Sequence, residues 1–110
     1  MHLAAAVNGS GLRPGGHQVD CIVRAFRTAP HSRIHMIGGI DAGVYWRLSQ
    51  DEAIAGMERG QWSFYIMLKN KPEPIVIVAT SEGWKFLACR VNGVITDDLL
   101  WLPECTLQSA

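Results

Sequence analysis

The chain has 110 residues, 48% of them hydrophobic and 18% charged, and ten basic against ten acidic side chains leave no formal net charge. That length holds a single domain, and its apolar share suits a packed globule better than disorder. Zero net charge argues against long-range attraction to nucleic acid or an anionic membrane.

The opening MHLAAAV is too short for a secretory core and carries no Lys or Arg before it. No stretch approaches the roughly 18 apolar residues of a membrane span. Asn8 to Gly16 (NGSGLRPGG) reads as a Gly/Pro/Ser linker. The expected organisation is a flexible extension over 1–18, one domain over 19–106 and a tail over 107–110.

The run Cys21-Ile22-Val23 with Ala25-Phe26 predicts a first strand, and Ala29-Pro30 turns the chain. Ile34 to Ile37 predicts a second strand ended by Gly38-Gly39, and Val44 to Leu48 a third. Ser49-Gln50-Asp51-Glu52 is a capping box, in which the Ser hydroxyl and the Glu carboxylate satisfy each other's main-chain N–H. With Asp51 and Glu52 in the first turn, Arg59 in the last and Gly60 beyond it, a helix is expected from Ser49 to Gly60. Its buried stripe is Ala53, Ile54 and Met57.

Trp62, Phe64, Ile66 and Leu68 alternate with Ser63, Tyr65, Met67 and Lys69, the period of a half-buried strand. Asn70 to Pro74 reads as a hairpin loop, and Ile75 to Ala79, apolar on both faces, as the central strand. Another strand follows from Trp84 to Arg90. Asn92-Gly93 between Val91 and Val94 is a strong two-residue hairpin signal. Leu99 to Leu102 is a last apolar element stopped by Pro103. The fold class is α+β: a small antiparallel β-sheet with one short α-helix packed on one face, in the order β-β-β-α-β-β-β.

The order of these motifs resembles the bacterial and phage family known as domain of unknown function 3892. The resemblance rests on Cys21-Ile22-Val23-Arg24, Pro30-His31-Ser32-Arg33-Ile34, Ile37-Gly38-Gly39, Trp46-Arg47-Leu48-Ser49 and Trp62-Ser63-Phe64-Tyr65. The closing segment Asp97 to Cys105 completes it. The chain differs from the pattern at Asn92-Gly93, Asp97-Asp98 and Cys89, where Asp-Gly, paired Asn and Thr are usual. The resemblance implies a small stand-alone protein, often carried on a mobile element, and no accepted biochemical activity.

Three widely spaced cysteines, Cys21, Cys89 and Cys105, suggest reduced and packed thiols, hence a cytoplasmic protein. His31 and His35 have metal-ligand spacing for a helix, but Pro30 and the strand pattern around them remove the helical geometry. Zinc needs four converging ligands, so no metal site and no cofactor is expected. A Cys–His nucleophile pair needs a thiol of lowered pKa, whereas each cysteine lies in an apolar run. Adjacent Asp97-Asp98 is more simply a turn former than a catalytic carboxylate pair.

The remaining surface candidates are aromatic and basic: Arg33, Trp46, Arg47 and Tyr65, with Arg24 and Arg27 extending a basic face, although Trp46 is read first as an aromatic that caps the core beside the helix start. The functional expectation is a non-enzymatic binding module that acts on a protein partner or associates with itself, by a surface or a sheet edge. A small nucleic-acid or anionic-ligand binder using the Arg/Trp face is the alternative, and a cryptic Cys/His enzyme comes third.

Overall fold

A computed structural model of the chain describes residues 12–25 and 29–105. Expectations for residues 1–11, 26–28 and 106–110, including Arg27 and the end of the first strand, lie outside the described residues. The elements are β1 (Gly15–Gln18), β2 (Cys21–Arg24), a 3₁₀ turn η1 (Pro30–Ser32), β3 (Ile34–Asp41) and β4 (Val44–Ser49). Then follow α1 (Gln50–Glu58), β5 (Trp62–Leu68), β6 (Lys71–Ala79), β7 (Lys85–Val91), β8 (Val94–Thr96) and a second 3₁₀ turn η2 (Asp98–Trp101).

The α+β class and the placement of the helix between the third and fourth predicted strands are as the sequence implies. The single sheet is not. The strands divide into a three-stranded sheet, β2-β3-β4, and a five-stranded sheet, β1-β5-β6-β7-β8. The split occurs at α1, because a helix rather than a hairpin leads out of β4 and frees β5 to begin elsewhere. Ile22, Ile37 and Leu48 stand opposite one another across β2, β3 and β4 and are fully enclosed. They meet Phe64, Ile66, Ile75, Leu87 and Cys89 of the larger sheet and Ala53 and Ile54 of α1 in one core.

Gly15 to Gln18, read from sequence as part of the extension, form a strand that pairs parallel with Trp62 to Tyr65. Linker composition hides it: its ladder satisfies the open edge of β5, and only His17 and the preceding Leu12 are buried. The Trp62 indole donates to the Leu12 carbonyl at 3.3 Å, which fixes the chain's entry.

The capping box forms as the sequence implies. Ser49 Oγ accepts from the Glu52 N–H and Glu52 Oε1 accepts from the Ser49 N–H, each at 3.0 Å. At the other end Gly60 takes φ 75°. Gly60 N–H donates to Met57 and Gln61 N–H to Gly56, the paired bonds of a Schellman closure. The sequence reading missed two other buried helix residues. Gly56 lies under the Trp62 ring, where an added Cβ would stand 2.0 Å from Cε3. Gln50 is buried, donating through Nε2 to the His31 carbonyl at 3.0 Å and accepting at Oε1 from the Leu87 N–H at 2.9 Å.

Gln50 thereby closes β7 where β8 has not yet begun, since β7–β8 pairing starts at Cys89. Gln50→Ala is expected to leave a buried N–H and a carbonyl unpaired and to cost about 2 kcal/mol. Denaturant unfolding would show this as a lower midpoint with an unchanged m-value.

Three further differences have local causes. β3 runs through Gly38-Gly39 instead of stopping there, because those positions lie against Arg47, Cys105 and Trp46 and have no room for a side chain. The loop expected at Asn70 to Pro74 is a two-residue turn, Lys69-Asn70, with φ of 51° and 65°. Pro72 and Pro74 then sit inside β6, opposite Met67 and Tyr65. These are positions whose missing N–H faces away from β5, so that ladder is intact, while β6–β7 pairing reaches only Ile75–Cys89. The Asn92-Gly93 turn and a central β6 are as expected.

Candidate functional site

The aromatic–basic set does not assemble into one face. Trp46 belongs to the core: it is 2% exposed, its ring lies over Gly39, and its centroid is 5.6 Å from that of Phe64 and 6.0 Å from that of His17. Its indole N–H is buried, and no described residue accepts a hydrogen bond from it. The choice between an exposed and a buried Trp46 depended on which face of β4 turns inward, and Leu48 and Trp46 share the inward parity.

Arg24 is a latch on the C-terminal segment. Nη1 donates to Glu104 Oε1 at 2.6 Å, and Nη2 donates to the carbonyls of Leu100 and, at 2.9 Å, Leu102. The Arg24 N–H donates to Glu104 Oε2 at 3.0 Å. These contacts, led by that main-chain N–H, hold the Glu104 carboxyl below its ordinary pKa. Arg24, Ala25, Arg33, Leu100 and Trp101 line an open hollow of about 290 Å³. A narrower apolar cavity of about 140 Å³, bordered by Ile34, Phe86, Leu87, Ile95 and Leu99, adjoins it at Arg33 and Leu100. Arg33 is itself partnered. Arg47 does not line either space, and Tyr65 lies half-buried on β5 in the other sheet.

The cysteine reading is corrected. Cys21 and Cys105 form a disulfide across 84 residues, with Cα atoms 4.8 Å apart. The chain end returns beside β2, with Ile22 N–H donating to Pro103 and Cys105 N–H donating to Ile22. That route is not visible in cysteine spacing. Disulfides persist in oxidising compartments, so this bond withdraws the support that three free thiols lent to a cytoplasmic setting. No helix among the described residues is long and apolar enough to cross a membrane.

Cys89 is the remaining thiol, fully buried. Burial, and then the carboxylates of Asp98 and Glu73, push its pKa from 9.0 up to about 11. A raised thiol pKa stabilises the fold fully below the unfolded value and loses that contribution as pH rises through the folded one. Stability is therefore expected to fall between about pH 9 and 11, and Cys89→Ala should flatten that part of the curve. Native Cys89 should also resist thiol reagents, with one thiol per chain appearing on unfolding without reductant and three with it; three without reductant would contradict the disulfide. His31 stacks on Trp84 at 4.7 Å and 10°, while His35 is exposed on β3. Among the described residues no three His, Cys, Asp or Glu side chains converge as metal ligands.

The outer edge of β4 is an open end of the three-stranded sheet. The β3–β4 hairpin closes through Ala42-Gly43, at φ of 51° and 83°, with Asp41 opposite Val44. That two-residue turn makes Asp41–Val44 the closing hydrogen-bonded pair. By alternation Val44, Trp46 and Leu48 bond inward to β3, while Tyr45, Arg47 and Ser49 turn N–H and C=O to the open side. Ser49 N–H is taken by Glu52. No described residue bonds the outward main-chain groups of Tyr45 and Arg47. Beside them, Ile40, Val44 and Tyr45 are each about half exposed.

No curated protein and no solved structure matches this chain. The model of the family described as protein of unknown function (DUF3892) matches residues 19–103, most of the chain, and the protein belongs to that family.

Proposed function

We propose that this domain is a non-enzymatic protein-binding module whose contact is the β4 edge. The observation that carries this reading is the pair of outward-facing peptide units at Tyr45 and Arg47, unbonded within the described residues and flanked by exposed Ile40 and Val44. An edge strand of this kind recruits another strand through main-chain bonds, with side chains supplying specificity. The other sheet ends are less suited. β8 has three residues and β1 four, and β2 is covered by Pro103 to Cys105.

The absence of catalytic chemistry in this proposal is supported by the chemistry of the thiols: two are oxidised to a disulfide and the third is buried with a raised pKa. A basic nucleic-acid face is not favoured, since Arg24 is spent on Glu104 and Arg47 lies apart from the Arg33 hollow. The setting favoured by Cys21–Cys105 is an oxidising one, and the role that of a small accessory protein, as the family resemblance implies for chains on mobile elements.

The test compares wild type with Arg47→Pro, which removes one outward N–H and leaves the inward ladder to β3 intact. Wild type is expected to capture a stoichiometric protein partner from its native host, and Arg47→Pro to lose it at an unchanged melting temperature. Equal capture by both would contradict the edge.

A further inference from the structure

The β4 edge is complementary to itself. Tyr45 and Arg47 sit two residues apart on the same face of β4, the face opposite to buried Trp46 and Leu48. If two copies of the strand run antiparallel about an axis at Trp46, each Tyr45 falls opposite Arg47 of the other copy. Those two residues are the ones whose N–H and C=O point outward, so each Tyr45–Arg47 pair can exchange both of its main-chain bonds. The guanidinium is then placed beside the phenol ring, an attractive cation–π or stacked arrangement. Arg47 has no ion-pair partner among the described residues to compete for it.

The neighbouring registers are worse for stated reasons. An axis at Arg47 sets guanidinium against guanidinium and calls on the Ser49 N–H, which Glu52 already accepts at 3.0 Å. An axis at Tyr45 pushes Arg47 past the end of the partner strand, onto Gly43 of its hairpin turn. With the axis at Trp46, exposed Val44 instead takes the register position opposite Leu48 of the other copy, and two-fold symmetry repeats every pairing. The edge also lacks the devices by which strands avoid pairing: β4 contains no Pro, no Lys and no bulge.

We therefore propose that a second copy of this chain is the partner of β4, joining two three-stranded sheets into one continuous six-stranded sheet with Tyr45 opposite Arg47. This rests on the protein-binding reading above and names its occupant.

Sedimentation equilibrium on the full chain, from micromolar to millimolar concentration, should show wild type passing from one to two chain masses. Arg47→Pro and Tyr45→Lys should remain monomeric, the second being a change at an exposed side chain that leaves the fold intact and sets Lys against Arg47. Register is read by oxidising an equal mixture of Tyr45→Cys and Arg47→Cys chains. Opposed residues of a bonded pair lie about 5.5 Å apart at Cα, within disulfide reach. A mixed cross-link is expected, with none in either variant alone, because like residues are displaced by two positions along the strands. Wild type that stays monomeric, a dimer indifferent to both substitutions, or cross-links within one variant alone would each overturn the inference. If monomeric wild type still captures a host protein that Arg47→Pro loses, self-pairing fails while the protein-binding reading stands.

Discussion

Reduction of the Cys21–Cys105 bond is expected to lower stability by roughly 4–5 kcal/mol, given the loop it closes. The two cysteines are 84 residues apart, so an intact bond removes a large share of the unfolded chain's conformations. The bond also has a local task. It holds the segment from Pro103 to Cys105 along β2, where Ile22 exchanges main-chain bonds with Pro103 and Cys105. Arg24 clasps the same segment through Glu104, but an exposed ion pair of this sort contributes at most about 1 kcal/mol. Cys105→Ser should therefore unfold at markedly lower denaturant than wild type, and adding reductant to wild type should reproduce most of the difference. A variant as stable as wild type would mean that the strap docks without its bond.

Gly39→Ala is expected to be at least as harmful as most core truncations, costing about 3 kcal/mol, the upper end of ordinary overpacking. A Cβ at this position would stand 2.4 Å from the Gln18 carbonyl oxygen and 3.0 Å from the Trp46 ring. A flexible side chain could move away, but the first of these neighbours is main chain and the second is enclosed by Phe64 and His17. Gln18 belongs to β1 of one sheet and Gly39 to β3 of the other. The clash therefore falls at the joint between the two sheets and forces them apart. Gly56→Ala, which would gain helix propensity in an open position, meets Trp62 and should also destabilise. Thermal unfolding of both variants checks this, and a rise in melting temperature for either would contradict the packing described.

The features legible in the sequence are those whose partners lie within a few residues. Ser49 and Glu52 cap each other across three positions, and Asn92-Gly93 closes a hairpin on its own, so both were readable without knowledge of the rest. The alternation from Trp62 to Leu68 likewise reports which side chains are buried. The order of the family's motifs follows the order of the elements but does not encode how the strands divide between two sheets. What escaped depends on distant neighbours. Gln50 is ordinary until His31 and Leu87 arrive at its two ends. Trp46 could face either way until Gly39 is placed beneath it. Cys21 meets Cys105 only because the chain end folds back along β2.

The candidate site was half legible for the same reason. Arg47 and a sheet edge were both named from the sequence, and both enter the contact proposed at β4. Which edge stays open follows from the sheet order, and hydrophobic pattern does not encode that order. The basic residues named with Arg47 proved to have separate employments, Arg24 on Glu104 and Arg33 at the rim of an apolar hollow.

Residue-resolved amide exchange tests the central claim most directly, because it reads each main-chain N–H of β4 separately. In dilute, monomeric protein the amides of Trp46 and Leu48 should be protected and those of Tyr45 and Arg47 should exchange rapidly. When the protein associates, protection should rise at Tyr45 and Arg47 more than anywhere else. Slow exchange at both amides in the free monomer, or protection that rises around Arg33 and Trp101 while β4 is unchanged, would contradict a binding edge at β4.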